Sequence, residues 1–164
     1  MTRPTANRRS ALALLGGSVA SLALVSCGRS AEAKNFPVSY SEAEWRKRLT
    51  NAEFRVLRQE ATERAYSSPL NKEKRAGTFA CAGCANPVYS SKAKYDSGTG
   101  WPSFWEPIRN SAVGTSRDFK LGYPRTEVHC ARCGGHLGHI FNDGPKPTGK
   151  RHCINGVALD FKPA

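Results

Sequence analysis

Acidic residues are in short supply in this chain. Its 164 residues carry 13 Asp and Glu against 25 Lys and Arg, a formal charge of +12. Residues 1–27 hold three Arg and no acid, so +9 belongs to the rest. Such an excess suits acidic partners, nucleic acid or an anionic membrane surface. Runs of five or six basic residues are missing, however, and a nucleic-acid module would show a continuous basic stripe with exposed aromatics. No nucleic-acid partner is therefore expected. Long apolar stretches are missing too. The one uncharged apolar stretch, residues 11–25, has 15 residues, short of the roughly 20 that cross a membrane as a helix. That excludes a polytopic membrane protein. No internal repeat appears beyond a paired cysteine motif, and no low-complexity tract. The length points to one domain. A composition of 39% hydrophobic and 23% charged residues suits a modest globular core and excludes a disordered chain.

The start of the chain reads as an address. A polar opening with Arg3, Arg8 and Arg9 precedes the apolar stretch, the layout of a secretory signal. Leu24-Val25-Ser26-Cys27 then resembles a bacterial lipoprotein cleavage box, with Cys27 as the lipidated residue. Arg8-Arg9 before a glycine-containing core resembles a twin-arginine signal. A plain cleaved signal with an incidental Cys27 is the alternative. The expected division is an export signal over 1–27, a polar tether over 28–40 and a folded domain over 41–164. The expected location is the periplasm or cell envelope, with a lipid anchor at Cys27.

Within the domain, Ser41-Glu42-Ala43-Glu44 and Thr50-Asn51-Ala52-Glu53 both have capping-box spacing. Each is followed by apolar residues at helical intervals, Trp45 and Leu49, then Phe54 and Leu57. Two short helices are predicted, near 42–49 and 51–59. From Thr78 onward the runs are short, rich in β-formers and separated by Gly and Pro. They include Thr78–Cys81, Val88–Ser90, Phe119–Leu121, Glu127–His129 and Val157–Phe161. A small, mostly β body behind two helices is expected.

The six cysteines divide by setting. Cys81-Ala82-Gly83-Cys84 and Cys130-Ala131-Arg132-Cys133 are matched C-x-x-C knuckles with 45 residues between them. A two-residue spacer in a turn lets both thiolates face one ion, and two such turns complete a tetrahedral set around zinc. Gly83, Gly134 and Gly135 help the chain turn there. Disulfides, a redox pair or an iron site compete with zinc. A thioredoxin-like pair fits poorly, because no βαβ pattern surrounds either knuckle. Four thiolates leave no open coordination position, so a zinc at Cys81, Cys84, Cys130 and Cys133 would staple the fold without chemistry. Zinc thiolates must stay reduced in an oxidising envelope, and export of the folded, metal-loaded protein would meet that need.

Cys153 stands alone in Arg151-His152-Cys153-Ile154-Asn155. A lone cysteine is either an inert core residue or a nucleophile. On a strand, Arg151 and Asn155 share its face, and a guanidinium nearby favours thiolate over thiol. His136 and His139 sit three apart, and Asp143 follows His139 by four, placed to orient an imidazole or hold a water. Trp101 and Phe104 lie in a glycine-rich loop. Aromatic rings beside a thiolate suit an apolar or thioether ligand; core packing is the alternative for both, and for Phe104 it is the favoured one.

Taken together these motifs resemble the B-type methionine sulfoxide reductases, from about Tyr40 to Phe161. The likeness rests on Thr62-Glu63-Arg64-Ala65-Tyr66, both knuckles, Lys94-Tyr95-Asp96-Ser97-Gly98, Gly100-Trp101-Pro102-Ser103-Phe104, His136-Leu137-Gly138-His139-Ile140-Phe141, Asp143-Gly144-Pro145 and Arg151–Gly156, in this order. The resemblance implies two antiparallel sheets with short N-terminal helices, and a four-cysteine zinc away from the active site. It implies reduction of methionine-R-sulfoxide in oxidised proteins by Cys153, which becomes a sulfenic acid. Arg151 would lower the thiol pKa. His136, His139 and Asn155 would order water or deliver protons. Trp101 would accept the methyl group, Asp143 would support the histidine side, and Phe104 is grouped with them on the substrate side.

Two positions depart from the family pattern. Many relatives place a resolving cysteine where this chain has Thr99, and a hydroxyl forms no disulfide. With four cysteines on metal and one on lipid, an external thiol, thioredoxin-like or other, would then reduce the sulfenic acid. His152 stands where an aromatic residue is common, either neutral in effect or one more proton-active group. The competing reading is a non-catalytic, zinc-stapled envelope lipoprotein that docks a partner.

Overall fold

A computed structural model describes residues 35–164. The expected export signal, the lipid at Cys27 and residues 28–34 of the expected tether lie outside the described residues. Helices α1 (Glu42–Arg48) and α2 (Asn51–Gln59) start at the two capping boxes. The Ser41 hydroxyl accepts from Glu44 N at 3.3 Å, and the Glu44 carboxylate accepts from Ser41 N at 2.9 Å. Thr50 and Glu53 repeat the exchange at 3.3 and 2.7 Å. Each cap contributes about 1 kcal/mol. The helices bury Trp45, Phe54, Val56 and Leu57 against the body. No described helix is long and apolar enough to cross a membrane.

The body is two antiparallel sheets. In the smaller, β1 (Gly77–Cys81) lies between β2 (Pro87–Ser90) and β9 (Leu159–Pro163). The larger has the order β3-β4-β8-β7-β6-β5, from β3 (Lys94–Tyr95), β4 (Ser103–Phe104), β5 (Val113–Asp118), β6 (Arg125–Cys130), β7 (His136–Phe141) and β8 (Arg151–Ile154). Phe79, Tyr89, Phe104, Val128, Leu137 and Ile154 fill the core between the sheets and helices, each with no exposure.

Two strand expectations are corrected. Phe119-Lys120-Leu121 is the tip of the β5–β6 hairpin, not a strand. Its alternation resembles a strand, but both apolar side chains face solvent. The turn closes through Gly122 at φ 81°. The strand feeding that tip, Val-Gly-Thr-Ser-Arg-Asp, was hidden by its polarity. Val157 and Ala158 belong to a single 3-10 turn ahead of β9.

The knuckles close the ends of β1 and β6. Sulfur atoms approach across the two motifs, Cys81 to Cys133 at 3.7 Å and Cys84 to Cys130 at 3.5 Å. Four ligand atoms lie within 4.8 Å of one another. Those separations are far beyond a disulfide bond of about 2.05 Å, and all four cysteines are free, which removes the disulfide alternative. They match the roughly 3.8 Å edge of a tetrahedron with metal–sulfur bonds of about 2.3 Å. Gly134, at φ 66° and with the Phe36 ring where a Cβ would stand, makes the second knuckle's turn. The cluster therefore fits one thiolate-bound ion that ties β1 of one sheet to β6 of the other.

Candidate active site

Cys153 sits mid-sheet on β8. Its partners across the ladder are Ser103 on β4 and His139 on β7. Gly138 permits this approach, because a Cβ there would run into the Cys153 carbonyl. Beside the half-buried thiol is a cavity of about 140 Å³, lined by Thr62, Trp101, Arg125, Gly138, His139, Phe141 and Asn155. A larger groove of about 600 Å³ runs between α2, residues 61–70 and β9, and its lining holds neither thiol nor imidazole. Of the two, the small cavity is the one that brings a thiol and an imidazole together.

Arg151 shares the Cys153 face, as alternation on a strand requires. It gives both Nε and an Nη to the Asp143 carboxylate at 2.9 Å. Its guanidinium carbon lies 4.4 Å from the Phe141 ring centre. Burial pushes the Cys153 thiol up, Arg151 and the Thr99 hydroxyl pull it down, and the net displacement is upward. Arg151 thus acts in the expected direction, but desolvation outweighs it. Asp143 is spent on Arg151, is largely exposed, and neither reaches an imidazole nor lines the cavity. Its expected substrate-side place is not what the structure shows.

Two other carboxylates hold the histidines, and the sequence reading missed both. His139 Nε2 donates to Asp118 Oδ2 at 2.7 Å, and Arg125 pairs with the same oxygen. His136 Nδ1 donates to Glu127 Oε1 at 2.9 Å, and Glu127 also accepts from Ser116. The Lys120 N–H, with His139 and Arg125, holds Asp118 down to about 2 against the effect of burial. Glu127 is held low as well, where hydrogen bonds from His129, His136 and Ser116 outweigh its burial. An ionised carboxylate only accepts, so each imidazole proton is placed. His136 keeps Nε2 free and His139 keeps Nδ1 free. Burial also lowers the His139 pKa and favours the neutral ring. The two rings are 5.3 Å apart. His139 lines the cavity, whereas His136 lies behind it with a buried, unpartnered Nε2.

Trp101 forms one cavity wall, fixed by its indole N–H donating to Glu63 O at 3.1 Å. Glu63 is a third residue to which the sequence gave no role. Its carboxylate accepts from Gly156 N and Val157 N, and its own N–H donates to Asn155 Oδ1 at 2.9 Å. Asn155 Nδ2 donates to Leu137 O at 3.0 Å. The Asn155 amide thus binds backbone at both ends and fixes the cavity floor. Phe104 is corrected as a substrate contact. It has no exposure, stacks on Tyr89 at 4.4 Å between ring centres, and does not line the cavity. His152, on the opposite strand face from Cys153, meets Tyr89 Oη at 3.1 Å through Nδ1. Burial lowers its pKa to about 4, so the ring is a neutral core group outside the cavity. Thr99, whose hydroxyl pulls the Cys153 thiol pKa down, begins a hydroxyl chain through Ser97 to Ser103, at 2.8 and 2.7 Å.

A half-buried thiol, buttressed imidazoles and an aromatic wall come together on a two-sheet body. Residues 49–163 match the SelR domain family, and the chain belongs to that family. Among its relatives, the peptide methionine sulfoxide reductase MsrB of Leptospira interrogans is 48% identical over 128 residues, 78% of this chain and 98% of that protein. Proteins of the same name from Bradyrhizobium diazoefficiens and Methanosarcina barkeri are 53% and 50% identical, over 75% and 76% of this chain and 88% of each relative.

Proposed function

We propose that this chain reduces methionine-R-sulfoxide in oxidised proteins to methionine, as a one-cysteine enzyme of the cell envelope. Membership of the MsrB group supports the reductase activity. The observation that carries the site assignment is Cys153 beside a side-chain-sized cavity, with His139 directly across the ladder.

The chemistry follows from the free enzyme's raised thiol pKa. A protonated sulfur is a poor nucleophile, so the thiol proton must leave as the sulfur attacks. His139 has Nε2 committed to Asp118 and offers Nδ1 for that transfer. The Cys153 sulfur attacks the sulfoxide sulfur, and the oxygen passes to Cys153. The proton from the thiol ends on that oxygen. The products are methionine and a Cys153 sulfenic acid, with no net proton change. Arg151 stabilises the developing thiolate, and Trp101 receives the apolar end of the side chain.

The sulfenic acid meets a hydroxyl at Thr99. An external thiol condenses with it, releasing water and leaving a mixed disulfide. A second thiol then restores Cys153 and leaves as the oxidised reductant. A thioredoxin-like dithiol supplies both thiols. Zinc is the ion we assign to Cys81, Cys84, Cys130 and Cys133, on the fit of sulfur spacing and an all-thiolate donor set. It supplies a closed structural cross-link and no reaction step.

The envelope location rests on the signal-like residues 1–27, the lipoprotein-like Cys27 and the Arg8-Arg9 pair. Retention of the folded chain in the cytoplasm when both arginines become lysine tests the twin-arginine route. The activity is tested by turnover of separated R- and S-sulfoxides, with dithiothreitol and with thioredoxin. R-selective turnover that disappears in Cys153→Ser, with the metal retained, is expected. A zinc-stapled docking lipoprotein would turn over neither epimer.

A further inference from the structure

Six large apolar side chains are exposed among the described residues, and three of them share one hairpin tip. Phe119, Leu121 and Tyr123, in the loop between β5 and β6, are 59%, 59% and 55% exposed. A fourth, Tyr66, is 72% exposed. Single exposed apolar residues are ordinary, whereas a cluster marks a surface that something covers.

That tip is fixed to the Cys153 cavity at both ends. Its base is the Asp118–Arg125 ion pair. Arg125 lines the cavity, and Asp118 holds His139. Its far end is held by Lys120 Nζ, 2.5 Å from Glu60 Oε2. Glu60 stands two residues before Thr62, another cavity residue. Tyr66 belongs to the Trp101 wall. Its hydroxyl donates to Gly98 O at 2.6 Å, and its ring lies 2.9 Å from where a Gly100 Cβ would be.

The size of the cavity leaves the rest of any substrate outside it. About 140 Å³ is close to the roughly 150 Å³ of a dry cavity that takes benzene. It is well below the ~300 Å³ at which small-molecule sites begin. One methionine sulfoxide side chain fills it. The polypeptide bearing that side chain must cross the rim, and the hairpin that carries Phe119, Leu121 and Tyr123 springs from that rim at Arg125. Methionine is among the residues most often fully buried in folded proteins, so its sulfoxide comes with apolar neighbours when a chain opens.

We propose that Phe119, Leu121 and Tyr123, continued by Tyr66, form a docking rim for an extended, apolar-rich stretch of oxidised polypeptide. This rests on the reductase reading and assigns the surface that receives the residues flanking the reacting side chain.

Kinetics of the full chain on three substrates test it. One is an 11-residue peptide with a central methionine-R-sulfoxide flanked by Leu and Phe. The second has Ser and Gln as the flanks, and the third is N-acetylmethionine-R-sulfoxide. The wild-type kcat/KM for the apolar peptide should exceed that for the polar peptide at least tenfold, through KM. The variant Phe119→Ser/Leu121→Ser/Tyr123→Ser should erase that tenfold and leave N-acetylmethionine-R-sulfoxide within twofold of wild type. Equal wild-type values for the two peptides overturn the rim, as does an equal fall on all three substrates in the variant. Wild-type self-association by sedimentation, abolished in the variant while the peptide preference persists, also overturns it and assigns the patch to a second copy. Wild-type turnover of none of the three substrates overturns the reductase reading along with the rim.

Discussion

Asp118 Oδ2 accepts the Nε2 proton of His139 at 2.7 Å, and this bond decides which imidazole nitrogen is left to meet Cys153. Substituting Asp118→Asn removes the charge that makes the acceptor unambiguous. The His139 ring then samples both tautomers, and the productive one is diluted. Positioning of one acid–base group within a total effect of about 10²–10⁴ predicts a fall in kcat of roughly tenfold, with KM within twofold. Ring ¹⁵N shifts check the cause: wild type shows a single Nε2–H tautomer at His139, and the variant shows a mixture.

Stability should fall in two stages as the solution is acidified. His152 titrates near 4 in the folded chain, below its ordinary value of 6.5. The unfolded chain therefore binds this proton first, and stability declines as pH falls from about 6.5 towards 4. Asp118 titrates at about 2 against an ordinary 3.8, so its contribution is intact above about 4 and is lost as pH falls towards 2. Melting temperatures from pH 8 to 2.5 should show both declines. His152→Phe should lessen the upper one, to which His139 also contributes, and Asp118→Asn the lower one, to which Glu127 also contributes.

Reactivity of Cys153 reports the contest between burial and Arg151. Iodoacetamide labelling of the free enzyme should follow a pKa above that of an ordinary thiol, in keeping with the upward displacement. Arg151→Met removes the largest lowering influence. It should move the labelling curve further up and slow labelling at neutral pH.

Thr99 is joined through Ser97 to Ser103, the residue that pairs with Cys153 across the ladder. Wild-type enzyme treated with sulfoxide and no reductant should show no internal disulfide by mass spectrometry. The variant Thr99→Cys should show a disulfide between the introduced thiol and Cys153, and faster turnover with thioredoxin.

Removing one knuckle ligand tests the metal assignment. Cys84→Ser should leave less than one zinc per chain. Loss of a structural ion removes several kcal/mol of folding free energy, which lowers the melting temperature by at least ~10 °C. The Cys153 labelling curve should be unchanged while the variant remains folded.

What the sequence disclosed was local. Ser41 and Glu44 name a helix start because both partners of the cap lie within one turn. The knuckles name a metal site because two-residue spacing has few other uses. The carboxylates behind the histidines were not legible. Asp118 and His139 are 21 residues apart and meet only through the register of β5, β6 and β7. Asp118 also closes a strand with no apolar alternation to announce it. Asp143 lies nearer His139 in sequence and drew the assignment that belonged to Asp118. Phe104 sits in the same loop as Trp101, but strand alternation points it towards Tyr89 and away from Cys153. Glu63 acts almost wholly on backbone groups, which no side-chain pattern signals.

The most direct test of the account is one reductant-free turnover. Reduced full chain is mixed with excess methionine-R-sulfoxide, and methionine is counted per chain while Cys153 is trapped with dimedone. The account predicts one methionine per chain, a sulfenic adduct on Cys153 alone, and neither with Cys153→Ser or with the S epimer. Methionine formed by Cys153→Ser, or none formed by wild-type protein with a free Cys153 thiol, would contradict it.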